Sequence, residues 1–276
     1  MWDAPPDASP VPAEFLPVLD MPEPGEQNRL TVFFRLLLLI PQFIVVWVLS
    51  VVAFFVAVIG WFGALVLGRL PDFAATYLAG YVGYETRVSA YAMLTHDSYP
   101  PFAFHPADHP VRVVLKPGEL NRLAVFFRLI LAIPAAIIQS VLVTGWWTVS
   151  FISWLVVLVL GRMPRPLFEA TAAIVRYRMR FEAYLLMLTA AYPKELFGEE
   201  PQRAPEGPVP AASATRPLVL GSAGRGLLVA FILIGIVASA TSSLTGTFTS
   251  DDDDDDHARA RVTGPRTPGA ALADRP

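Results

Sequence analysis

The sequence predicts an all-α integral membrane protein: two tandem repeats of a hydrophobic hairpin plus an amphipathic interfacial helix, then one C-terminal transmembrane helix. Three observations predict it. Two runs of 32 residues, Leu36 to Leu67 and Leu129 to Leu160, contain no Asp, Glu, Lys, Arg or His, and a shorter such run spans Gly226 to Ser250. Residues 25–100 and 118–193 align without a gap at a constant offset of 93. Arginines gather at the edges of the apolar runs. Runs above about 18 apolar residues fit membrane-embedded helix, and a soluble chain of 276 residues could not cover three of them. Composition agrees, with 54% hydrophobic and 16% charged residues and a mean hydropathy of +0.49. Soluble proteins carry roughly a quarter charged residues.

In chain order, residues 1–24 are Pro-rich and acidic, which predicts a disordered lead-in and gives no positive n-region for a cleavable signal peptide. Residues 25–100 form membrane repeat 1, 101–117 a connector and 118–193 membrane repeat 2. A Pro/Ala-rich linker covers 194–217, the C-terminal transmembrane helix 218–249, and a disordered tail with the run Asp251 to Asp256 covers 250–276. "GEQNRLTVFFRLLLLIP" from Gly25 and "GELNRLAVFFRLILAIP" from Gly118 share thirteen of seventeen positions. "WFGALVLGRLP" from Trp61 answers "WLVVLVLGRMP" from Trp154. Such repetition marks one structural unit used twice.

Each 32-residue run is about 48 Å long as one helix, against a hydrocarbon core of about 30 Å. A hairpin, a single span hinged at Pro41 or Pro134, and two short tilted spans all fit. Charge favours the hairpin. Arg29 and Arg35 precede the first run and Arg69 and Arg87 follow it; Arg122 and Arg128 precede the second and Arg162, Arg176, Arg178 and Arg180 follow it. Arginine marks cytoplasmic ends, so both ends of each run are expected on one side, with turns near Ser50 and near Thr144–Gly145. These ten arginines are the expected topology and lipid-headgroup anchors. After each run, helical spacing gathers Tyr77, Tyr81, Tyr84 and Tyr91 on one stripe, and Tyr177, Phe181 and Tyr184 on its counterpart. An aromatic stripe edged by arginine suits an interfacial helix.

The N-R-L-x-V-F-F-R-L-x-L-x-I-P opening, the W…G-R-[LM]-P middle and the Y-x-x-R…A-Y…Y-P end together resemble the bacterial membrane family known as domain of unknown function 4389. The resemblance covers both repeats, roughly 150 of 276 residues. It implies a membrane location and a repeat unit, and no catalytic residue is carried over.

The residues themselves offer little chemistry. There is no cysteine, which excludes disulfides and thiolate sites. No nucleotide-binding glycine pattern or hydrolase elbow stands in a strand–helix context. His96, Asp97, His105, Asp108 and His109 share one loop, but repeat 2 holds Thr189 and Ala190 where repeat 1 holds His96 and Asp97. No metal, cofactor or catalytic residue is therefore expected. Basic residues follow the apolar edges, which speaks against nucleic acid. The expected partners are membrane lipids with anionic headgroups, and a second copy or a membrane complex. The expected function is non-enzymatic membrane organisation, scaffolding or lipid interaction, with a transport-complex subunit and then a lipid-modifying enzyme as alternatives. Arginine-rich, lysine-poor composition points to a GC-rich bacterial genome, and the expected location is the bacterial inner membrane, crossed several times. Arg216 and Arg225 before the last helix put the N-terminus on the cytoplasmic side and the acidic tail outside.

Overall fold

The computed structural model describes residues 15–198 and 213–241. The readings placed on residues 1–14, on 199–212 and on the tail from 242, aspartate run included, lie outside the described residues. In repeat 1, Asn28 caps a short helix α1 (Arg29–Phe33), its side chain accepting the Leu30 N–H at 2.9 Å. Phe34 interrupts the helix, and α2 (Arg35–Leu67) then runs unbroken for 33 residues, with Pro41 inside it. Gly68, at φ +73°, ends α2 in the left-handed conformation that a glycine adopts without strain. Pro71 then opens α3 (Asp72–Ala92), and α3 returns antiparallel along α2: Ala74 lies beside Gly60, Tyr77 donates to the Leu49 carbonyl and Tyr84 to Gln42.

Repeat 2 follows the same plan. Asn121 caps α4 (Arg122–Phe126), Phe127 interrupts, and α5 (Arg128–Thr148) and α6 (Ser150–Leu160) follow. Gly161, at φ +67°, makes the turn into α7 (Arg165–Leu185). Each repeat is thus a helical hairpin, but its turn is G-R-[LM]-P, not the middle of the apolar run. That corrects the expectation of turns at Ser50 and Thr144–Gly145. The Ser50 hydroxyl stays inside the helix on the Trp47 carbonyl at 2.7 Å, so nothing there breaks the ladder. In repeat 2 the Thr148 and Ser150 hydroxyls bond the Thr144 and Trp147 carbonyls. Such back-bonding competes with the helix, and only Val149 leaves it, at φ −100° and ψ 6°.

The two hairpins clasp each other head to tail. Gln27 N–H donates to the Gly161 carbonyl at 2.7 Å, and its counterpart Leu120 N–H donates to the Gly68 carbonyl at 2.8 Å. Trp61 Nε1 donates to the Val125 carbonyl at 3.1 Å, and Trp154 Nε1 to the Val32 carbonyl at 2.8 Å. Backbone bridges join Glu26 to Arg162 and Arg69 to Glu119. The opening of each repeat therefore docks on the turn of the other. α2 and α5–α6 run in opposite directions, related by a local two-fold axis across the helices. Arg29 and Arg69, expected on one side of the membrane, flank opposite ends of α2.

α3 and α7 pack on each other at the centre, and every α3 residue from Val82 to Val88 is buried. They are the interior of the molecule, not exposed interfacial helices. A two-stranded antiparallel sheet touches them, β1 (Val18–Asp20) with β2 (Arg112–Val114), pairing Leu19 with Val113. β1 falls in the stretch expected to be disordered; Met21 and Asp20 are tied to Thr215, Ser213 and Arg216, which fixes both segments at once. The last helix, α8 (Ser222–Thr241), starts where the Gly221 N–H meets Glu169 at 2.8 Å. Among the described residues three helices, α2, α5 and α8, are long and apolar enough to cross a membrane, and only 11%, 28% and 22% of their most apolar windows are buried.

α8 crosses α5 glycine on glycine. A Cβ on Gly145 would meet the backbone of Phe231 and, at 3.2 Å, the Gly235 nitrogen; one on Gly235 would meet the backbone of Val141 and, at 3.1 Å, the Gly145 nitrogen. Close backbone approach of this kind needs small residues. Gly145→Leu or Gly235→Leu should destabilise the protein by about 1–3 kcal/mol, read as a lower thermal midpoint in detergent. Gly226→Leu, with open space around it, should leave the midpoint unchanged.

Candidate functional site

The second arginine of each opening, Arg35 or Arg128, turns inward. Arg35 is 1% exposed. Its Nη1 donates to the carbonyls of Tyr91 (3.0 Å) and His96 (3.1 Å), and its Nη2 to Gln27 Oε1 (3.1 Å) and the Asp97 carboxylate (3.0 Å). Its guanidinium lies 4.3 Å from the Tyr91 ring centre. The C-terminal carbonyls of a helix carry partial negative charge and lack partners, so a buried cation there satisfies both itself and the end of α3. The turn it holds is strained, because Leu94 takes φ +65°. Arg128 repeats the clamp on α7. Its Nε donates to the Tyr184 carbonyl at 2.6 Å, its Nη2 to the Thr189 carbonyl, and Tyr184 lies 4.2 Å beneath it. Met187, at φ +61°, takes the place of Leu94. The two clamps differ in one respect. Positions equivalent to Gln27 and Asp97 are Leu120 and Ala190, and among the described residues no carboxylate pairs with Arg128.

Next to the first clamp, His96 and His109 meet edge to face at 5.4 Å. Burial, then the neighbouring His109 and Arg35, push the His96 imidazole down to about 3; burial also lowers His109. Both rings are therefore neutral at pH 7. His109 Nδ1 accepts the Val111 N–H at 3.1 Å, and Asp97 is taken by Arg35. Among the described residues no group of three or more His, Asp or Glu is placed to hold a metal ion.

At the centre, Glu85 of α3 pairs with Arg178 of α7, and Arg178 also reaches Glu182 at 3.3 Å. Residues 85 and 178 are equivalent positions of the two repeats, so this ion pair sits on the local two-fold axis. Ser89 donates to Glu85 at 2.7 Å. A cavity of about 120 Å³ adjoins the pair, walled by Phe43 and Trp147.

Two apolar grooves flank the axis, each between the long helix of one repeat and the arginine clamp of the other. The wider, about 520 Å³, is bounded by Ala53, Phe54, Trp61 and Tyr81 on one side and by Arg128 and Met187 on the other. Its counterpart at Arg35 is about 250 Å³. Trp146 accounts for the difference. It stands where the wide groove has Ala53, is fully buried, and donates to Thr171 at 3.1 Å.

The expected headgroup anchors thus divide. Arg29, Arg69, Arg122 and Arg162 are exposed at the two ends of the molecule, Arg29 with Arg162 and Arg69 with Arg122. Arg35, Arg87, Arg128, Arg176 and Arg180 are buried and Arg178 half-buried. Arg87 holds the Ala103 and Phe104 carbonyls, Arg176 the Glu195 carbonyl, and Arg180 Pro17, Lys194 and Glu195. Arg87, Arg176 and Arg180 thus reach protein carbonyls and acids. The aromatic stripe is likewise internal. Tyr84, Tyr91, Tyr177, Phe181 and Tyr184 are buried, while Tyr77 and Tyr81 are half-buried against α2 and the wide groove. Phe181 packs on Ala132 and Ala135 of α5. Sequence reasoning missed the clamp partner Gln27, the strained Leu94 and Met187, and the Glu85–Arg178 pair. The offset of 93 could have found the last, since it opposes a glutamate to an arginine.

The family described as domain of unknown function (DUF4389) matches residues 29–103 and 122–196, one copy per hairpin and together more than half of the chain. No curated protein and no solved structure matches the chain.

Removing one member of a buried, hydrogen-bonded ion pair costs about 3–5 kcal/mol. Arg35→Gln should therefore lower the thermal midpoint far more than Arg69→Gln, whose partner Asp72 is surface-exposed. A histidine held neutral at about 3 against an ordinary 6.5 contributes stability that is complete above about pH 6.5 and is lost as pH falls toward 3. Charged His96 would face Arg35 and His109, with Asp97 already engaged. Melting curves from pH 7 to pH 4 should show a falling midpoint, with a shallower slope in His96→Gln.

Proposed function

The chain belongs to the DUF4389 family, whose description assigns no function, and we propose that it is an integral membrane protein with a non-enzymatic, lipid-binding role. The observation that carries this reading is the wide groove. Its rim residues Phe54, Val58 and Leu129 are 63%, 41% and 73% exposed on helices otherwise sheathed in apolar side chains. Its volume falls within the roughly 300–1,000 Å³ of small-molecule sites. Exposed apolar surface on this scale is untenable in water and natural in lipid. The long helices α2 and α5–α6 would meet the bilayer in opposite senses, and α8 would cross it once. We propose the inner membrane of a bacterium as the location. Arg216 ahead of α8 and Arg225 in its first turn favour a cytoplasmic start for that helix and an outward tail.

A second reading, a subunit of a transport complex, is favoured by the buried Glu85–Arg178–Glu182 group and its adjoining cavity. Charges enclosed among membrane helices commonly mark ion or solute paths.

The first reading predicts that the chain stays in the membrane pellet after alkaline carbonate washing and leaves it only with detergent. It also predicts that lipid co-purifies at a fixed ratio, and that Ala53→Trp lowers this ratio. Release by carbonate, or a lipid content indifferent to Ala53→Trp, would contradict it. Solute movement by the chain in proteoliposomes, abolished by Glu85→Gln, would support the second.

A further inference from the structure

We propose that the wide groove is a site for one anionic phospholipid, with an acyl chain along α2 and the phosphate on Arg128. The proposal rests on the membrane reading above and adds to it a headgroup charge and an address. Three departures from the repeat pattern converge on this one groove. Where Arg35 has Asp97, Arg128 has Ala190, so the second guanidinium keeps its charge uncompensated among the described residues. Where Arg35 has Gln27, the equivalent position in repeat 2 is Leu120, which offers no side-chain acceptor. Where the narrow groove is filled by Trp146, the wide one has Ala53. Loss of the acid and loss of the indole each lack a reason on their own. Together they make a roomy apolar slot with a positive end.

The chemistry of the end fits a phosphate. Arg128 Nε and Nη2 are spent on carbonyls, and its Nη1 has no hydrogen bond among the described residues. A buried arginine with neutral acceptors alone is costly, and a charge-assisted bond from Nη1 to a phosphate oxygen would offset that cost. Arg128 is the first residue of α5, the point where the charge-free run begins. In a bilayer that is headgroup depth. From there the slot follows α2 between Ser50 and Trp61, past the exposed Phe54 and Val58, so an acyl chain can enter sideways from the bilayer. A zwitterionic headgroup carries its own cation and leaves the Arg128 charge unmatched.

The test uses the full chain, purified and delipidated in mild detergent, with phosphatidylglycerol, phosphatidylcholine and oleate titrated separately and adducts counted by native mass spectrometry. One phosphatidylglycerol should bind about tenfold or more tighter than phosphatidylcholine, whose phosphate offers the same oxygens but whose choline cation repels the Arg128 charge at close range. Ala190→Asp, which copies the first repeat at an exposed position, should erase that preference without lowering the thermal midpoint, since it gives Arg128 the acid that Arg35 has. Ala53→Trp, which copies the second repeat, should remove the adduct. If both phospholipids bind equally and Ala190→Asp changes nothing, the charge assignment is overturned, while loss of the adduct in Ala53→Trp alone would leave the lipid-binding reading standing. Tighter binding of oleate than of phosphatidylglycerol overturns the phospholipid as occupant. Absence of any adduct, in wild type and variants alike, overturns the groove site and the lipid-binding reading together.

Discussion

The structure depends on a reciprocal clasp. The opening segment of each hairpin finishes the turn of the other, through a backbone bond to Gly161 or Gly68 and an indole bond to Val32 or Val125. Neither half is complete alone. Without repeat 2, the carbonyl of Gly68 and the indole N–H of Trp61 would have no protein partner at the edge of an apolar layer, where unsatisfied groups are expensive. The clasp also sets the direction of everything else. Because it is two-fold and transverse, it forces α2 and α5–α6 antiparallel, brings α3 against α7, and leaves the grooves open on either side.

Within that frame the arginines do the work of fastening. Arg35 and Arg128 each collect the loose carbonyls at a helix end, and Arg87 and Arg180 collect loop carbonyls on the far side of the same helices. A guanidinium offers five donors in a fixed plane, enough to gather several acceptors that no neutral side chain could. Fusion of the two units in one chain matters most at the axis. There a residue must face its own counterpart, and two glutamates or two arginines would repel. Glu85 against Arg178 is a solution open only to a chain whose two copies have diverged. The same freedom separates the wide groove from the narrow one.

Much of this was legible in the sequence. Duplication and the apolar character of α2, α5 and α8 follow from the repeat offset and the charge-free runs. The place of the hairpin turn was misread because run length was set against bilayer thickness, as if each run had to be fitted across it. The returning segments were expected at the bilayer surface as interfacial helices. Glu85 and Arg87 in fact meet their partners inside the protein, and the pairing of Glu85 with Arg178 shows only when the two repeats are set against each other across an axis. The same holds for the Tyr84–Tyr91 stripe. Helical spacing identifies a ring-rich face without saying whether lipid or protein meets it. The clamps escaped notice because an arginine at the edge of an apolar run has the same one-dimensional appearance whether it points out or in.

The transverse clasp is tested most directly by disulfide mapping, since the native chain has no cysteine. Paired residues of an antiparallel bridge stand about 4.5–5.5 Å apart at Cα, within the range a disulfide spans. Cysteines placed together at Glu26 and Arg162, or at Arg69 and Glu119, should cross-link rapidly on mild oxidation, and a pair at Glu26 and Arg69 should not. Efficient cross-linking of Glu26→Cys with Arg69→Cys, and none across the repeats, would mean that each unit folds back on itself and would contradict the account.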